Sequence, residues 1–255
     1  GLREQFKGPL LLPNNVGSLR NYFAQVSLID SGVGKILSTL ERLNMDENTI
    51  VIYTSDHGFS LGHNGIWGHG AAAFPSSAHR PSYNIPLIVA GEGVAENAVN
   101  DSFVSQIDLF PTLASLVGAK EVQPSLPSSA LDLGPALRQE GGCLRDAVFY
   151  EQEETRAIRT HDWVYAMRFQ GAPNYPIKNA LYHLENDPNE KTNLSGLGEF
   201  ANVEAELAAQ ISTYFDSYSE PKYDLWNGGT AKSNVTFQAL WQDAWGNDWR
   251  PEHST

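Results

Sequence analysis

Four of the seven histidines, His57, His63, His69 and His79, fall in one short glycine-rich stretch, and the first directly follows Asp56. Solvated surface histidines would be expected to scatter. A carboxylate oxygen beside an imidazole nitrogen makes a plausible pair of divalent-metal ligands. The bland alternative is that Asp56 and His57 cap a turn or the next helix. The pair closes the segment NTIVIYTSDHG, Asn48 to Gly58. Within it Ile50, Val51, Ile52 and Tyr53 form an unbroken β-branched and aromatic run, which predicts a strand buried on both faces, as in a parallel sheet flanked by helices. In open α/β sheets ligands collect at the carboxyl ends of strands. A continuing strand would send Asp56 and His57 to opposite faces, so joint use requires the chain to leave strand geometry there, and Gly58 permits that turn.

The elements that must position these residues follow from periodicity. Residues 1–20 carry Pro9, Pro13, Asn14, Asn15 and Gly17 and read as an irregular lead-in. From about Asn21, the positions Ile29, Val33, Ile36, Leu37, Leu40 and Leu43 recur at helical spacing and predict an amphipathic helix feeding the strand. The loop from Gly58 to Asn84 is long for a compact domain, and its Gly and His content favours a functional role. Ile85 to Ala90 reads as a second strand of the same sheet. Ser105 and Asp108 have capping-box spacing and open a helix to about Val117, which Gly118 stops.

Residues 119–145 are rich in Pro, Ser and Gly and read as a linker or exposed loop. Beyond them, Ala147 to Gln152, Arg156 to Thr160, Trp163 to Phe169 and Ala180 to Leu184 predict a small antiparallel sheet. The stripe Phe200, Val203, Leu207, Ile211, Tyr214 and Phe215 predicts a helix covering it. Trp226, Trp241, Trp245 and Trp249 mark a tail expected to dock on the body, since exposed aromatics are costly. The expected organisation is α/β: residues 1–145 as part of a mixed, mostly parallel sheet flanked by helices, 146–218 as a small α+β subdomain, and 219–255 as a Trp-rich tail.

A formal net charge of -13 over 255 residues makes nucleic acid or an anionic membrane an unsuited partner, since both need a basic footprint. No segment has the apolar length to span a bilayer. Cys143 is the sole cysteine, so no internal disulfide forms.

The strings TIVIYTSDHG, then Leu61 and Gly62 with GIWG from Gly65 to Gly68, then Ile85 to Val89, resemble the second half of the catalytic domain of type I sulfatases, in the alkaline-phosphatase-like superfamily. Further matches stand in the family's order: Ile29 and Asp30 with Gly32 and Gly34, SQIDLFPTL from Ser105 to Leu113, and LYHLENDPNEKTNL from Leu181 to Leu194. The resemblance implies that Asp56 and His57 are metal ligands. Calcium is the usual ion there, and the imidazole leaves room for manganese or zinc. It places His69 where sulfatases carry a lysine that contacts the sulfate. A histidine there changes charge near neutrality, so activity favoured at acidic pH is expected. His63 and Asn64 depart from the family's residues and are assigned to the pocket lining; His79 and Arg80 are alternative cations for the sulfate.

The formylglycine nucleophile is made from a C/S-x-P/A-x-R motif. Neither Cys143 nor Ser125 stands in one, so the nucleophile is expected on an N-terminal part outside this chain, consistent with a start at Gly1. The implied activity is metal-dependent cleavage of a sulfate ester by the parent protein, on a sulfated small molecule or carbohydrate, in a secreted, periplasmic or lysosomal-type setting. This chain alone is expected to be inactive. Two alternatives stand beside it: a phosphodiesterase or phosphonate hydrolase of the same superfamily, and a non-catalytic sulfatase-like module.

Overall fold

The computed structural model describes residues 16–70, 75–119, 128–141, 144–152, 154–169, 178–221, 224 and 226. Helix α1 (Val16–Arg42) begins earlier than the periodicity predicts, taking in Val16 to Arg20 of the expected lead-in. A 3-10 turn at Asp46–Asn48 hands the chain to β1 (Val51–Thr54).

Strand β1 pairs with β4 (Leu87–Ala90) in the register Ile52 with Val89, so the two expected strands do share a sheet. The α/β class expected from the sequence is what the structure shows. Among the described residues every strand pairing is antiparallel, this one included, so the parallel component of the expected sheet is not represented there. Nor is β1 buried on both faces: Tyr53 is 37% exposed and its register partner Ile88 60%. A strand with one hydrogen-bonded neighbour among the described residues has less cover than a central strand.

Between these strands lie the short pair β2 (Ser60–Leu61) and β3 (Trp67–Gly68) and a single helical turn α2 (Arg80–Tyr83). After β4, Ser105 and Asp108 form the capping box that their spacing predicts, through a 3-10 turn into α3 (Leu109–Leu116). Gly118 then takes a φ of +75° and ends the helix. The described part of the expected linker is packed at Leu133 and Gly134, while residues 138–141 are exposed as expected. A short helix α4 (Gly134–Leu137) follows Leu133, which is buried and donates its N–H to Thr112 Oγ1 at 2.8 Å. The buried Asp108 carboxylate gathers the N–H groups of Ser105 and Leu131 and the Arg145 guanidinium. A carboxylate with that many donors loses little by leaving water.

The C-terminal sheet is the antiparallel meander β5 (Ala147–Gln152), β6 (Thr155–Thr160), β7 (Trp163–Arg168) and β8 (Ala180–His183). Alternation puts Ile158, Tyr165 and Leu181 on one face, where Leu207, Ile211 and Phe215 of α5 (Ala201–Tyr218) cover them. Burying each such side chain stabilises the fold by about 1.5–3 kcal/mol. The other face carries Ala157, Val164, Ala166, Ala180 and Tyr182 and packs on Ala78 of the long loop. Asp224 pairs with Arg156 at 2.7 Å, and the Trp226 ring lies over the same guanidinium. Trp226 therefore docks as expected; Trp241, Trp245 and Trp249 lie outside the described residues. No described helix is long and apolar enough to cross a membrane.

Candidate functional site

At the end of β1 the chain does leave strand geometry. The Ser55 hydroxyl donates to the His57 carbonyl at 2.9 Å and the His57 N–H donates to Asp56 Oδ1 at 2.9 Å, closing a tight turn. Gln106, at the start of the capped helix, donates its side-chain amide to the Ser55 carbonyl. Gly58 serves this turn by close approach: a Cβ there would meet the Pro81 carbonyl oxygen at 2.1 Å, and its N–H donates to Ser82 O at 3.0 Å. The expected role of Gly58 as a turn-former is thus replaced by a steric one, holding the strand end against the Arg80–Tyr83 turn.

The Asp56 and His57 side chains converge, with Asp56 Oδ2 3.7 Å from His57 Nε2. Two ligands of one ion at bond lengths of ~2.0–2.6 Å sit roughly 3–4 Å apart. His57 Nδ1 lies 2.9 Å from the Gly58 carbonyl oxygen, which can only accept, so in the neutral ring Nδ1 carries the hydrogen and Nε2 the lone pair. That is the arrangement metal-binding histidines adopt. The His57 N–H, followed by the charge of the imidazole, holds the Asp56 carboxyl below its ordinary range. These residues fit a divalent cation as part of its coordination; no cluster of three or more His, Cys, Asp or Glu among the described residues could hold one alone.

His69 lies against this pair, its ring centroid 4.8 Å from that of His57. Burial, then the nearby His57, push the His69 imidazole below its ordinary value, with Asp56 opposing. The cationic form expected from the lysine comparison therefore needs a more acidic solution than an ordinary histidine would.

His79 and Asn64 form a second group. Asn64 Nδ2 lies 2.7 Å from His79 Nδ1 and donates to the Glu190 carbonyl at 3.0 Å. Arg80 contributes its backbone N–H to Glu190 Oε2 at 3.0 Å, while its side chain is exposed. His63 is exposed, and its Nδ1 accepts the Leu61 N–H at 3.2 Å. Sequence reasoning missed Gln106, Glu190 and Arg159, the last donating to Glu190 Oε1 at 2.7 Å. Glu190 and Gln106 stand inside the strings LENDPNEKTNL and SQIDLFPTL, so their location was visible although their contacts were not.

With this geometry in hand, comparison with known proteins agrees. The Sulfatase family model matches residues 4–119, and the model for the C-terminal part of N-sulphoglucosamine sulphohydrolase matches residues 76–216. The chain belongs to the sulfatase family. It is 28% identical over 252 residues to arylsulfatase K of Bos taurus, a match covering 88% of this chain and 43% of that protein. The structure of BT4656 in complex with its substrate D-glucosamine-2-N,6-O-disulfate superposes with a TM-score of 0.65 at 25% identity, covering 78% of this chain and 40% of the other. The phosphonate monoester hydrolase of Agrobacterium radiobacter superposes at 0.63 and 26% identity, covering 75% and 40%. The chain thus spans less than half the length of these relatives.

Proposed function

We propose that this chain forms the metal- and anion-binding part of a sulfatase that hydrolyses a sulfate ester in the complete protein. The observation that carries this reading is the convergence of Asp56 Oδ2 and His57 Nε2 at the end of β1, with Nδ1 tied to the Gly58 carbonyl. Asp56 and His57 would hold a divalent cation, calcium by family habit, with manganese or zinc suited to the imidazole. Such an ion polarises the ester oxygens and neutralises their charge. The turn held by Ser55 and Gln106 keeps the two ligands oriented, and the close packing at Gly58 brings the Arg80–Tyr83 turn alongside.

His69 would donate to a sulfate oxygen or to the leaving group. His79, Asn64, His63 and Arg80 would line the pocket, the first two held in place by Glu190 in the turn after β8. The chain supplies no formylglycine motif, so the nucleophile would come from elsewhere in the complete protein. The domain division at 145 and 218 is kept on the change of texture there, although Ala78 and His79 pack across it. The named substrate of the BT4656 structure supports a sulfated carbohydrate as substrate class.

The test is turnover of a sulfated sugar by the complete enzyme, with metal content measured in parallel. Asp56→Asn and His57→Ala are expected to lower turnover on the order of 100-fold or more and to lower bound metal. Unchanged metal content and rate in both variants would refute the assignment. The likeness to a phosphonate monoester hydrolase supports a second reading, and preference for a phosphonate monoester over the sulfate ester in the same assay would select it.

A further inference from the structure

Glu190 lies 111 residues from His79 in sequence, is 2% exposed, and takes a φ of +55°, a left-handed conformation uncommon for a non-glycine residue. The surrounding turn holds it there. Asp187 Oδ2 accepts the N–H groups of Lys191 and Thr192, and the Glu190 N–H donates to Asp187 O. Its carboxylate reaches out of this turn into the long loop. Oε2 takes the Arg80 N–H and lies 3.1 Å from His79 Nδ1, while Oε1 takes Arg159.

Two groups compete for His79 Nδ1: the Glu190 carboxylate, which can only accept, and the Asn64 amide NH2, which can only donate. A ring nitrogen is either an N–H or a lone pair, so it serves one of them. A bare lone pair 3.1 Å from a buried carboxylate is repulsive, whereas an N–H there makes a charge-assisted hydrogen bond, about twice as strong as a neutral one. Charge therefore decides for Glu190. The Asn64 amide keeps its second acceptor, the Glu190 carbonyl at 3.0 Å. The Tyr182 ring of β8, with its centroid 5.3 Å from that of His79, flanks the imidazole.

We propose that Glu190 is a positioning residue for the pocket: it sets His79 in the Nδ1–H form, leaves the Nε2 lone pair to accept from a hydroxyl of a sugar ligand, and fixes the imidazole to the turn that follows β8. This rests on the reading of His79 as a pocket residue. In consequence the turn after β8 serves the pocket through a group that touches no ligand itself.

The test reads the tautomer directly. In nitrogen-resolved imidazole spectra of the full chain, recorded above the imidazole titration range, His79 is expected to show a pyrrole-type Nδ1 and a pyridine-type Nε2. Glu190→Ala should reverse this: with the carboxylate gone, the Asn64 amide NH2, a donor 2.7 Å from Nδ1, is the group left beside it, and Nδ1 accepts. Asn64→Ala should leave the wild-type form intact. Methyl signals of Ile158 and Ile211 report that each variant is folded. An Nε2–H form in the wild type, or a reversal caused by Asn64→Ala, overturns the proposal even if Glu190→Ala fails to fold. An unreversed His79 in folded Glu190→Ala overturns it too.

Inorganic sulfate titrated into the complete enzyme separates the two ideas. Its affinity should not fall in Glu190→Ala, since sulfate has no hydrogen for Nε2 to accept, while the KM for a sulfated sugar should rise about tenfold, the equivalent of one hydrogen bond. Failure of the wild type to bind sulfate would refute the functional reading while the tautomer result still decides the positioning role.

Discussion

Helix α1 and the C-terminal sheet are built on opposite terms. Over 27 residues α1 buries no side chain, and Ile36 stands 62% exposed. The sheet β5–β8 with α5 buries Ile158, Leu181 and Ile211 completely and is covered on both faces. The candidate ligands Asp56 and His57 belong to the less buried region. Their loop is nevertheless tied to the better packed one. Ser76 donates its N–H to Glu154, the Tyr150 hydroxyl donates to Ala78 O at 2.8 Å, and His79 meets Glu190. The difference teaches that the site takes its chemistry from one region and its rigidity from the other.

The sharpest way to break this comparison is Ile211→Ala, which should destabilise the chain by about 2–5 kcal/mol in denaturant unfolding, the cost of a cavity in a closed core. Gly58→Ala comes next. Its Cβ would overlap the Pro81 carbonyl, so a loss of about 1–3 kcal/mol is expected, with amide shifts in Asp56 and His57 reporting the displaced turn. A shift confined to residue 58 would show that the contact does not position the pair.

A smaller loss depends on pH. Burial pushes the Glu190 carboxyl up, but hydrogen bonds from His79 and Arg159, the Arg159 charge and the Arg80 N–H outweigh it and hold the group below its ordinary range. A carboxyl depressed on folding contributes stability above its unfolded pKa, and that contribution disappears as pH falls through the folded value. Unfolding measured from neutral pH downward should therefore show a wild-type decline that is shallower in Glu190→Gln; equal slopes would remove Glu190 from the account. Smallest of all is Ile36→Ala on α1, expected within about 0.5 kcal/mol of wild type. A loss matching that of Ile211→Ala would mean the two regions are not as different as their burial indicates. Hydrogen exchange would sharpen the same contrast, with β6 and β7 protected longest and α1 exchanging early.

Much of this architecture was legible in the chain. The β-branched run at Ile50 to Tyr53, the Ser105–Asp108 capping box, the stop at Gly118 and the meander from Ala147 to Leu184 all rest on neighbours a few residues apart. The pairing of Asp56 with His57 was legible for the same reason, since adjacent residues after a strand end can converge once a turn intervenes. The packing of Leu133 was not, because a stretch rich in Pro, Ser and Gly gives no sign that Thr112 will accept its N–H. Gly58 was noticed for the wrong reason: its backbone meets Pro81, a contact no local pattern encodes.

Residue order alone determined which chemical groups this protein has, that Asp56 and His57 end a strand together, and that four histidines share one loop, because those properties depend on covalent neighbours and short-range periodicity. Tertiary structure alone decided that His79 answers to Glu190 and that Gln106 holds the Ser55 turn. Each of those depends on a donor meeting an acceptor across a fold, and such a meeting exists only after distant segments have packed.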